Sequence, residues 1–276
     1  MRYLRMAVIG LFIVSLGFFA WANVRYYSEL DDDVPTITRD TDLLEISVND
    51  GPEALLQGIH AWDETDGDLT DQIIVASVSH FVEGSTVSVK YVVFDSHNNA
   101  ASFNGKVRYT DYRSPQFSLS EPAVLKRGAN FDLLSHIKVN DCLDGDISSR
   151  VRVLTNLVNV YTAGVYPVVL EVTNSCGDVS QLTLLVTILE KGNSAIIDLD
   201  EYIVYVEQGG TFDPYSHIRA VTGENNLSLP KEDVQVNGTL DLNTPGMYRL
   251  EYSYSDQSVS GQTAMTVVVE GREGAA

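Results

Sequence analysis

Basic residues are scarce in this sequence. It contains 18 lysines and arginines against 38 aspartates and glutamates, and its formal net charge is −20. Three of the arginines, Arg2, Arg5 and Arg25, lie near the N-terminus, so the rest of the chain has 15 basic residues against 38 acidic ones, a net charge of −23. A surface of that sign repels phosphate backbones and anionic lipid headgroups. The charge balance excludes nucleic acid as a partner.

The sequence also lacks the short motifs that mark common active sites. It contains no G-x-S-x-G, no H-E-x-x-H, no phosphate-binding P-loop and no recognisable Cys–His nucleophile pattern. Its five histidines do not cluster, and His136 and His217 occupy equivalent positions in two repeats, which favours a structural role. We therefore expect that the chain is not an enzyme.

Helical periodicity is missing after residue 28, where no segment has a 3.6-residue apolar stripe of helical length. The chain is nevertheless 44% hydrophobic and 9% aromatic, a composition of folded domains that does not suggest disorder. Runs rich in Val, Ile, Thr and Tyr alternate with clusters of Gly, Asn, Asp and Ser, which is typical of strands and turns.

The one long apolar run is at the N-terminus. Residues 6–24 carry no charge, and a helix of that length is about 28 Å long, close to the thickness of a hydrocarbon core. Arg2 and Arg5 precede the run and acidic residues 29–33 follow it, so the positive-inside rule predicts a single-pass membrane protein with its N-terminus inside and its C-terminal bulk outside. The alternative is a signal peptide cleaved after the A-x-A-like residues 20–22, which would make the protein secreted. We favour the anchor because the run exceeds the about 7–15 residues of a usual signal-peptide core.

A repeat of about 80 residues fills the rest of the chain. The related stretches LLQGIHAWD, LLSHIKVND and PYSHIRAVT centre on Ile59, Ile137 and Ile218, which lie 78 and 81 residues apart. Each repeat also contains a Gly-led strand, GSTVSVKYVVFD, GVYPVVLEVTN or GMYRLEYSYSD, and closes with an alternating apolar strand. These landmarks recur in the same order, which chance does not produce.

The period within each repeat is two residues. In GVYPVVLEVT (164–173), residues Tyr166, Val168, Leu170 and Val172 face one side of a strand. Several short strands in about 80 residues can bury enough apolar surface only as two packed antiparallel sheets. We predict an all-β fold of three tandem immunoglobulin-like β-sandwiches preceded by one N-terminal transmembrane helix. The predicted segments are the anchor 1–25, an acidic stem 26–34, domains 35–112, 113–191 and 192–271, and a tail 272–276.

The combination of an opening P-x-I, a middle DGD-[LI]-[ST], a G-x-Y strand and a closing V-x-V resembles a bacterial surface module. It is similar to the immunoglobulin-like repeat of an insecticidal crystal protein, close to the hyalin-repeat family. The resemblance covers about residues 35–271 and is weaker in the third repeat, which has GENNLSLPKED in place of the DGD turn. It implies tandem sandwiches on a secreted or cell-wall protein, associated with adhesion, spacing or carbohydrate-active enzymes.

Two acidic loops, DETDGDLTD (63–71) and DCLDGDISS (141–149), are the main candidate sites. Calcium binds 6–8 oxygen ligands, and the candidate calcium ligands are Asp63, Asp66, Asp68, Asp95, Asp141, Asp144 and Asp146. The spacing does not fit an EF-hand. We favour a structural turn over calcium, because Asp-Gly is a common turn dipeptide and the third repeat lacks the motif. An acid–base pair is disfavoured, since the only aromatic side chain nearby, Trp62, is expected to pack at the sandwich edge.

The only cysteines, Cys142 and Cys176, lie in the acidic loop and in the TNSCGDV turn of the second repeat. If the loop and the turn share one end of the sandwich, the two residues are adjacent. In an exported protein this pattern predicts a disulfide, the alternative being two free thiols.

The expected function follows from these segments. We expect a membrane-anchored extracellular bacterial surface protein, an Ig-like stalk that presents its last domain for adhesion to an unknown protein or glycan, with no cofactor other than calcium to consider. The alternative is a structural subunit of a cell-envelope complex or filament that self-associates through its Ig-like domains. Tyr248, Tyr252 and Tyr254 share one strand face of the third repeat, which favours core packing over a ligand patch.

Overall fold

The computed structural model describes residues 2–28, 33–130 and 132–271. The N-terminal run forms a single helix, α1 (Arg2–Ser28). Its segment Val8–Arg25 has a mean hydropathy of 1.7, is long and apolar enough to cross a membrane, and is not buried inside the protein. Residues 29–32 of the predicted acidic stem and the predicted tail 272–276 lie outside the described residues.

The first repeat is a sandwich of two sheets. Its elements are β1 (Thr36–Arg39), β2 (Leu43–Ile46), a 3-10 helix (Pro52–Leu56), β3 (Ile59–Asp63), β4 (Gly67–Asp68), a second 3-10 helix (Thr70–Gln72), β5 (Ile74–Glu83), β6 (Thr86–Phe94) and β7 (Ala100–Tyr109). One sheet has the order β1-β3-β4, and the other has the order β2-β7-β6-β5. Strands β2 and β7 are parallel, and the other paired strands are antiparallel.

The second repeat has the same plan. Its elements are β8 (Gln116–Leu119), β9 (Val124–Lys126), a single helical turn α2 (Leu133–His136), β10 (Ile137–Asp141), β11 (Gly145–Asp146), a 3-10 helix (Ser148–Arg150), β12 (Arg152–Asn156), β13 (Gly164–Thr173) and β14 (Val179–Leu189). The sheets have the orders β11-β10-β8 and β12-β13-β14-β9, and β9 runs parallel to β14. The match in order and direction confirms that the two stretches are copies of one design.

The third repeat keeps the sandwich but not the acidic turn. Its elements are β15 (Ile196–Leu199), β16 (Ile203–Glu207), β17 (Ile218–Thr222), β18 (Gln235–Asn237), β19 (Gly246–Ser255), β20 (Ser260–Glu270) and 3-10 helices Pro214–His217, Glu224–Asn226 and Lys231–Asp233. The sheets have the orders β15-β17 and β16-β20-β19-β18. Where the other repeats have a DGD turn, a short loop is closed by a bridge between Thr222 and Ser228.

Alternate residues of the long strands fill each core, as the two-residue period predicted. The buried side chains on these strands include Val87, Val89, Tyr91, Val93, Val168, Leu170, Val172, Leu250, Tyr252 and Tyr254. Burying each such side chain contributes about 1.5–3 kcal/mol to folding. The fold class is therefore the predicted one: all-β, with three immunoglobulin-like sandwiches after an N-terminal apolar helix.

Two core tyrosines tie the long strand to the turn before the third strand of their sandwich. The hydroxyl of Tyr91 donates to the carbonyl oxygen of Leu55 at 2.7 Å, and the hydroxyl of Tyr252 donates to that of Pro214 at 2.9 Å. In each case the bond supplies the partner that a buried phenol needs. Tyr252 and Tyr254 pack in the core, as the sequence predicted.

The chain divides into two compact units, Met1–Asp111 and Tyr112–Ala276. The first unit contains the first sandwich, and the second contains the other two. The predicted domain boundaries at 112/113 and 191/192 stay predictions, since contacts within the second unit join its two sandwiches.

Candidate functional site

The two acidic loops are tight turns that each begin with a buried aspartate. Asp63 ends β3 and Asp141 ends β10, and each pairs with the glycine of the DGD turn, Gly67 or Gly145. Those glycines have φ values of +76° and +70°, a left-handed conformation that glycine adopts without steric cost. The Asp-Gly dipeptide is therefore required by the backbone of the turn.

In both loops, the buried aspartate holds the turn through one carboxylate oxygen. Oδ1 of Asp63 accepts hydrogen bonds from the backbone N–H groups of Thr65 and Asp66, both at 2.9 Å. Oδ1 of Asp141 accepts the equivalent bonds from Leu143 and Asp144 at 2.9 and 2.8 Å. This is the local capping that a structural turn requires.

The first aspartate of each DGD joins the loop to the turn that follows the long strand. Asp66 accepts bonds from the backbone N–H and the hydroxyl of Ser96 at 2.6 and 2.9 Å. Asp144 accepts the equivalent bonds from Ser175 at 2.8 and 2.6 Å. The loop and the turn lie at the same end of the sandwich, as the sequence predicted. A serine follows Asp95 and Asn174 in both turns, but its bond to the loop aspartate was not predicted from the sequence.

Asp144 has a further partner, because Nη1 of Arg150 lies 2.6 Å from its Oδ2. Burial alone would raise the pKa of Asp144, but hydrogen bonds from Ser175 and the Arg150 guanidinium lower it overall. A carboxylate held in this way is ionised at neutral pH.

The second aspartate of each DGD caps the short 3-10 helix that follows. Asp68 accepts from the backbone N–H of Thr70 at 3.0 Å, and Asp146 accepts from that of Ser148 at 2.9 Å. Hydrogen bonds from the side chains of Thr70 and Ser148, together with these backbone bonds, lower the pKa of both carboxyls. Both aspartates stabilise their own loop.

The residue that opens the turn differs between the two repeats. In the second repeat, the Nδ2 group of Asn174 donates to Oδ2 of Asp141 at 3.1 Å and to the hydroxyl of Tyr112 at 2.8 Å. The Tyr112 hydroxyl in turn donates to Asp178 at 2.7 Å. Burial, followed by this bond to Asp178, raises the pKa of Tyr112. The result is a buried network in which the polar groups are paired.

In the first repeat the equivalent residue is Asp95. Its Oδ1 accepts from the backbone N–H groups of His97 and Asn99 at 2.8 and 2.7 Å, and its Oδ2 accepts from Nδ2 of Asn99 at 2.8 Å. Burial works towards a higher pKa for Asp95, but these donors lower it overall. Asp63 and Asp95 are both buried, with 2% and 7% of their surfaces exposed.

The predicted disulfide between Cys142 and Cys176 is wrong, since no disulfide joins these two residues. The Cys142 side chain is exposed, and its Sγ donates to the carbonyl oxygen of Arg113 at 3.1 Å. Cys176 is buried, and burial raises the pKa of its thiol. The adjacency of loop and turn was inferred correctly, but the contact of Cys142 with the start of its repeat was not visible in the sequence.

The candidate calcium ligands divide into two groups. Asp66, Asp68, Asp144 and Asp146 bind hydrogen-bond donors of their own loops and turns, whereas Asp63, Asp95 and Asp141 are buried beneath them. Among the described residues, no three Asp, Glu, His or Cys side chains form a group that could hold a metal ion. Calcium binding, which the sequence favoured less than a structural turn, stays an untested alternative.

Trp62 does not pack at the sandwich edge. Its side chain is 60% exposed, because Ile59, Ala61 and Asp63 take the inward positions of β3 and the two-residue period turns Trp62 outwards. The prediction that Trp62 packs at the sandwich edge was therefore wrong.

The contacts that join the second and third sandwiches were not predicted from the sequence. The Tyr205 hydroxyl accepts from the backbone N–H of Phe117 at 2.7 Å, and Nη1 of Arg249 donates to the carbonyl oxygen of Leu185 at 2.9 Å. Burial lowers the pKa of Arg249 and raises that of Tyr205 to about 12. A small cleft between the two sandwiches is lined by Val124, Thr187, Asn237, Arg249, Glu251, Tyr252, Ser253, Gln262 and Thr263.

Comparison with known proteins gives a family match for the third repeat and two relatives. Residues 200–269 match the family of the bacterial surface protein Ig-like domain. The chain is 27% identical over 207 residues to the pesticidal crystal protein Cry22Aa of Bacillus thuringiensis, covering 72% of this chain and 28% of that protein. It is 20% identical over 227 residues to an 81.3 kDa protein of Acholeplasma phage L2, covering 79% and 30%. The resemblance to an insecticidal crystal protein's repeat is confirmed, and this chain spans less than a third of either relative.

Solved structures with a similar fold include carbohydrate-binding and cadherin proteins. One is the M60 catalytic domain with CBM51-1 and CBM51-2 of Clostridium perfringens ZmpB. It is 14% identical, with a TM-score of 0.25, and the match covers 88% of this chain and 31% of the ZmpB chain. Drosophila N-cadherin EC1-3 is 12% identical, covers 85% and 99%, and has a TM-score of 0.30. Likenesses this distant carry no argument about function.

Proposed function

We propose that this chain, whose third repeat matches a bacterial surface Ig-like domain, is a non-enzymatic protein anchored in the cell membrane by α1. Its three sandwiches form an extracellular stalk that presents the last repeat to a protein or glycan. The observation that carries this proposal is the pairing of a surface-type Ig-like domain with an apolar helix whose segment Val8–Arg25 is not buried inside the protein. A helix with that much exposed apolar surface needs a membrane or a partner to cover it.

The charge distribution supports the proposed orientation. Arg2 and Arg5 precede the apolar segment, and the acidic residues of the protein all follow it. Basic residues are retained on the cytoplasmic side of a membrane. A net charge of −23 on the remainder suits a protein that stays soluble outside the cell.

The cleft between the second and third sandwiches is the surface we assign to ligand binding. It presents amide, hydroxyl and charged side chains, among them Asn237, Gln262 and Glu251. Groups of this kind hydrogen-bond the hydroxyls of a glycan or the backbone of a peptide. The Arg249 contacts hold the two walls of the cleft together, so the groups are held in place before a ligand arrives.

A binding screen tests this proposal. The exported portion, residues 26–276, would be applied to bacterial cells, purified cell walls and an array of glycans. We expect binding to at least one of these, and we expect the double variant Asn237→Ala/Gln262→Ala to weaken it at least about 10-fold, the effect of about 1.4 kcal/mol. The matched control is Gln72→Ala on the first repeat, which should bind like the native protein. Binding to none of the surfaces would contradict the proposal.

Self-assembly is a second candidate function, favoured by one specific observation. Strand β5 lies at an edge of its sheet and exposes Ile74, Val78 and Val82. An exposed apolar edge strand is a template for pairing with another chain. The same position in the second repeat, β12, exposes Val153 and Leu154.

Light scattering of residues 26–276 over a range of concentrations tests this second candidate. If the protein assembles through β5, the mean mass rises with concentration and Val78→Lys abolishes the rise, because a charge on an edge strand opposes pairing. The control is Val34→Lys, which also places a charge at an exposed valine but outside the strand. A strict monomer at every concentration rules the candidate out.

A further inference from the structure

The first and second repeats place different residues at one buried position. In both, the residue after the long strand opens a turn with the same backbone bonds: Asp95 N–H to Asn99 O, and Asn174 N–H to Asp178 O, both at 3.1 Å. In both, Oδ1 of that residue accepts from the backbone N–H four residues further on. The two side chains therefore have the same orientation, and Oδ2 of Asp95 takes the place of Nδ2 of Asn174.

That replacement removes a hydrogen-bond donor from the core. In the second repeat, Asn174 Nδ2 donates to Oδ2 of Asp141, whose surface is 2% exposed. In the first repeat, the equivalent oxygen is Oδ2 of Asp63, and a carboxylate at position 95 has no N–H to offer it. Oδ2 of Asp63 is buried and has no hydrogen-bond partner among the described residues.

A buried carboxylate oxygen without a partner is costly, and here the residue in the place of the amide donor, Asp95, is a second carboxylate. A shared proton would remove one charge, but each Oδ1 of the pair accepts two backbone N–H bonds. Bonds of this kind favour the ionised form of a carboxyl. Each Oδ1 is therefore already used by backbone donors, and the buried Oδ2 of Asp63 is left for a bound cation to pair.

We propose that Asp63 and Asp95 bind a calcium ion between their Oδ2 atoms, and that the equivalent Asp141–Asn174 pair does not. The inference does not depend on the proposed surface function. It narrows the seven candidate ligands of the sequence to one pair in one repeat. Calcium prefers oxygen ligands and accepts backbone carbonyls and waters beside carboxylates.

The proposed site has only two carboxylates, because no group of three acidic, His or Cys side chains that could hold a metal ion is present among the described residues. The side-chain amide of Asn99 joins Asp95 to the backbone of Asp33. Its Nδ2 donates to Oδ2 of Asp95 at 2.8 Å and to the carbonyl oxygen of Asp33 at 3.1 Å. Few charged ligands mean weak binding, and we expect a Kd of about 10⁻⁴–10⁻³ M, the range of extracellular modules.

Hydrogen exchange of the full chain in zwitterionic nanodiscs tests the inference. Exchange of peptides covering 63–71 and 95–99 would be compared in chelator and in calcium at ten times the Kd measured by calorimetry. Binding to the closed loop alone multiplies its closed-to-open ratio about 11-fold at that concentration, so exchange should slow by a similar factor. Peptides covering 141–149 and 174–178 serve as the internal control and should not respond.

Two reciprocal substitutions make the test specific. Asp95→Asn supplies the donor that the second repeat has, so the first loop should lose its calcium response while staying protected in chelator. Asn174→Asp removes that donor, so the second loop should gain a response. The inference is overturned if native protein shows no calcium effect, if Asp95→Asn keeps the full effect, or if the loop is protected by lowering the pH in chelator and not by calcium, which would indicate a shared proton.

Discussion

Individual carboxylates in this protein have different hydrogen-bond partners, and these partners determine how the stability of the fold changes in acid. Asp144 binds Ser175 and Arg150, and Asp146 and Asp68 bind the 3-10 helices that follow them. Their pKa values lie below the usual range in the folded protein. Protons therefore bind more tightly to the unfolded chain.

The second unit should consequently lose stability in acid. A carboxyl whose folded pKa is depressed contributes its full stabilisation above the unfolded pKa of about 3.9 and loses it as the pH falls through the folded value. We expect the urea midpoint to be flat from pH 7 to about 5 and to fall below about pH 4. Asp144→Asn should lower the midpoint at pH 7 and make its fall in acid shallower. An unchanged acid profile in that variant would contradict the assignment.

A second prediction at this scale concerns the buried tyrosine hydroxyls. Tyr252→Phe removes the donor to the Pro214 carbonyl, and we expect a loss of about 1 kcal/mol in the free energy of unfolding. Tyr215→Phe, at a residue that is 53% exposed, is the control and should change it by less than about 0.5 kcal/mol. Urea denaturation measures both. Equal effects would show that the buried bond adds nothing.

The sequence predicted some residues of the candidate site correctly and others incorrectly. Asp63 and Asp141 were identified because the repeat aligned them, and the turn glycines because Asp-Gly has a known preference. The cysteine pair was misjudged, since adjacency of two loops does not fix where a thiol points, and Cys142 bonds to Arg113 instead. The sequence aligns Asp95 with Asn174, but that this difference leaves Oδ2 of Asp63 without a donor became visible only when both repeats were compared in three dimensions.

At the scale of elements, the long hairpins and the acidic turns have different origins. Strands such as β6 and β13 follow from a strict two-residue apolar period, which is why the sequence predicted them. The short strands β4 and β11 have two residues each and no period to read. They exist because a left-handed glycine turns the chain back onto β3 or β10.

This account of the turn predicts a specific response at Gly145. An added Cβ there would meet nothing within 4 Å, so any effect of substitution comes from the backbone conformation alone. Gly145→Ala should destabilise the second unit by about 1–2 kcal/mol. Gly145→Asn should cost less, because asparagine tolerates the left-handed region. Thermal unfolding compares the two, and a larger loss for asparagine would refute the explanation.

For the whole molecule, the unexpected feature is that the second and third sandwiches belong to one compact unit. Their union depends on side chains such as Tyr205 and Arg249 that the repeat pattern does not mark, because the equivalent positions do not recur in the other repeats. The pattern shared by the repeats predicts the fold within each repeat. Contacts between neighbouring repeats depend on residues that are present in one repeat only, so the shared pattern does not predict them.

Because the second and third sandwiches form one compact unit, we predict that they unfold together. In native protein, peptides of the second and third sandwiches should show matching denaturant dependence of hydrogen exchange. Tyr205→Phe leaves the Phe117 N–H without its acceptor, at a cost of about 1–3 kcal/mol to the contact between the sandwiches. The two sets of peptides should then separate. Separate behaviour already in native protein would show that the sandwiches are independent.

The central claim is that the sandwiches lie outside a membrane that α1 crosses, and Cys142 offers a direct test. The full chain would be expressed in cells without an outer membrane and treated with a membrane-impermeant maleimide before and after lysis. Cys142 is exposed, whereas Cys176 is buried and its thiol pKa is raised, so Cys142→Ser removes the labelled site. We predict full labelling of membrane-bound protein in intact cells. Labelling that appears only after lysis would place the sandwiches inside and contradict the account.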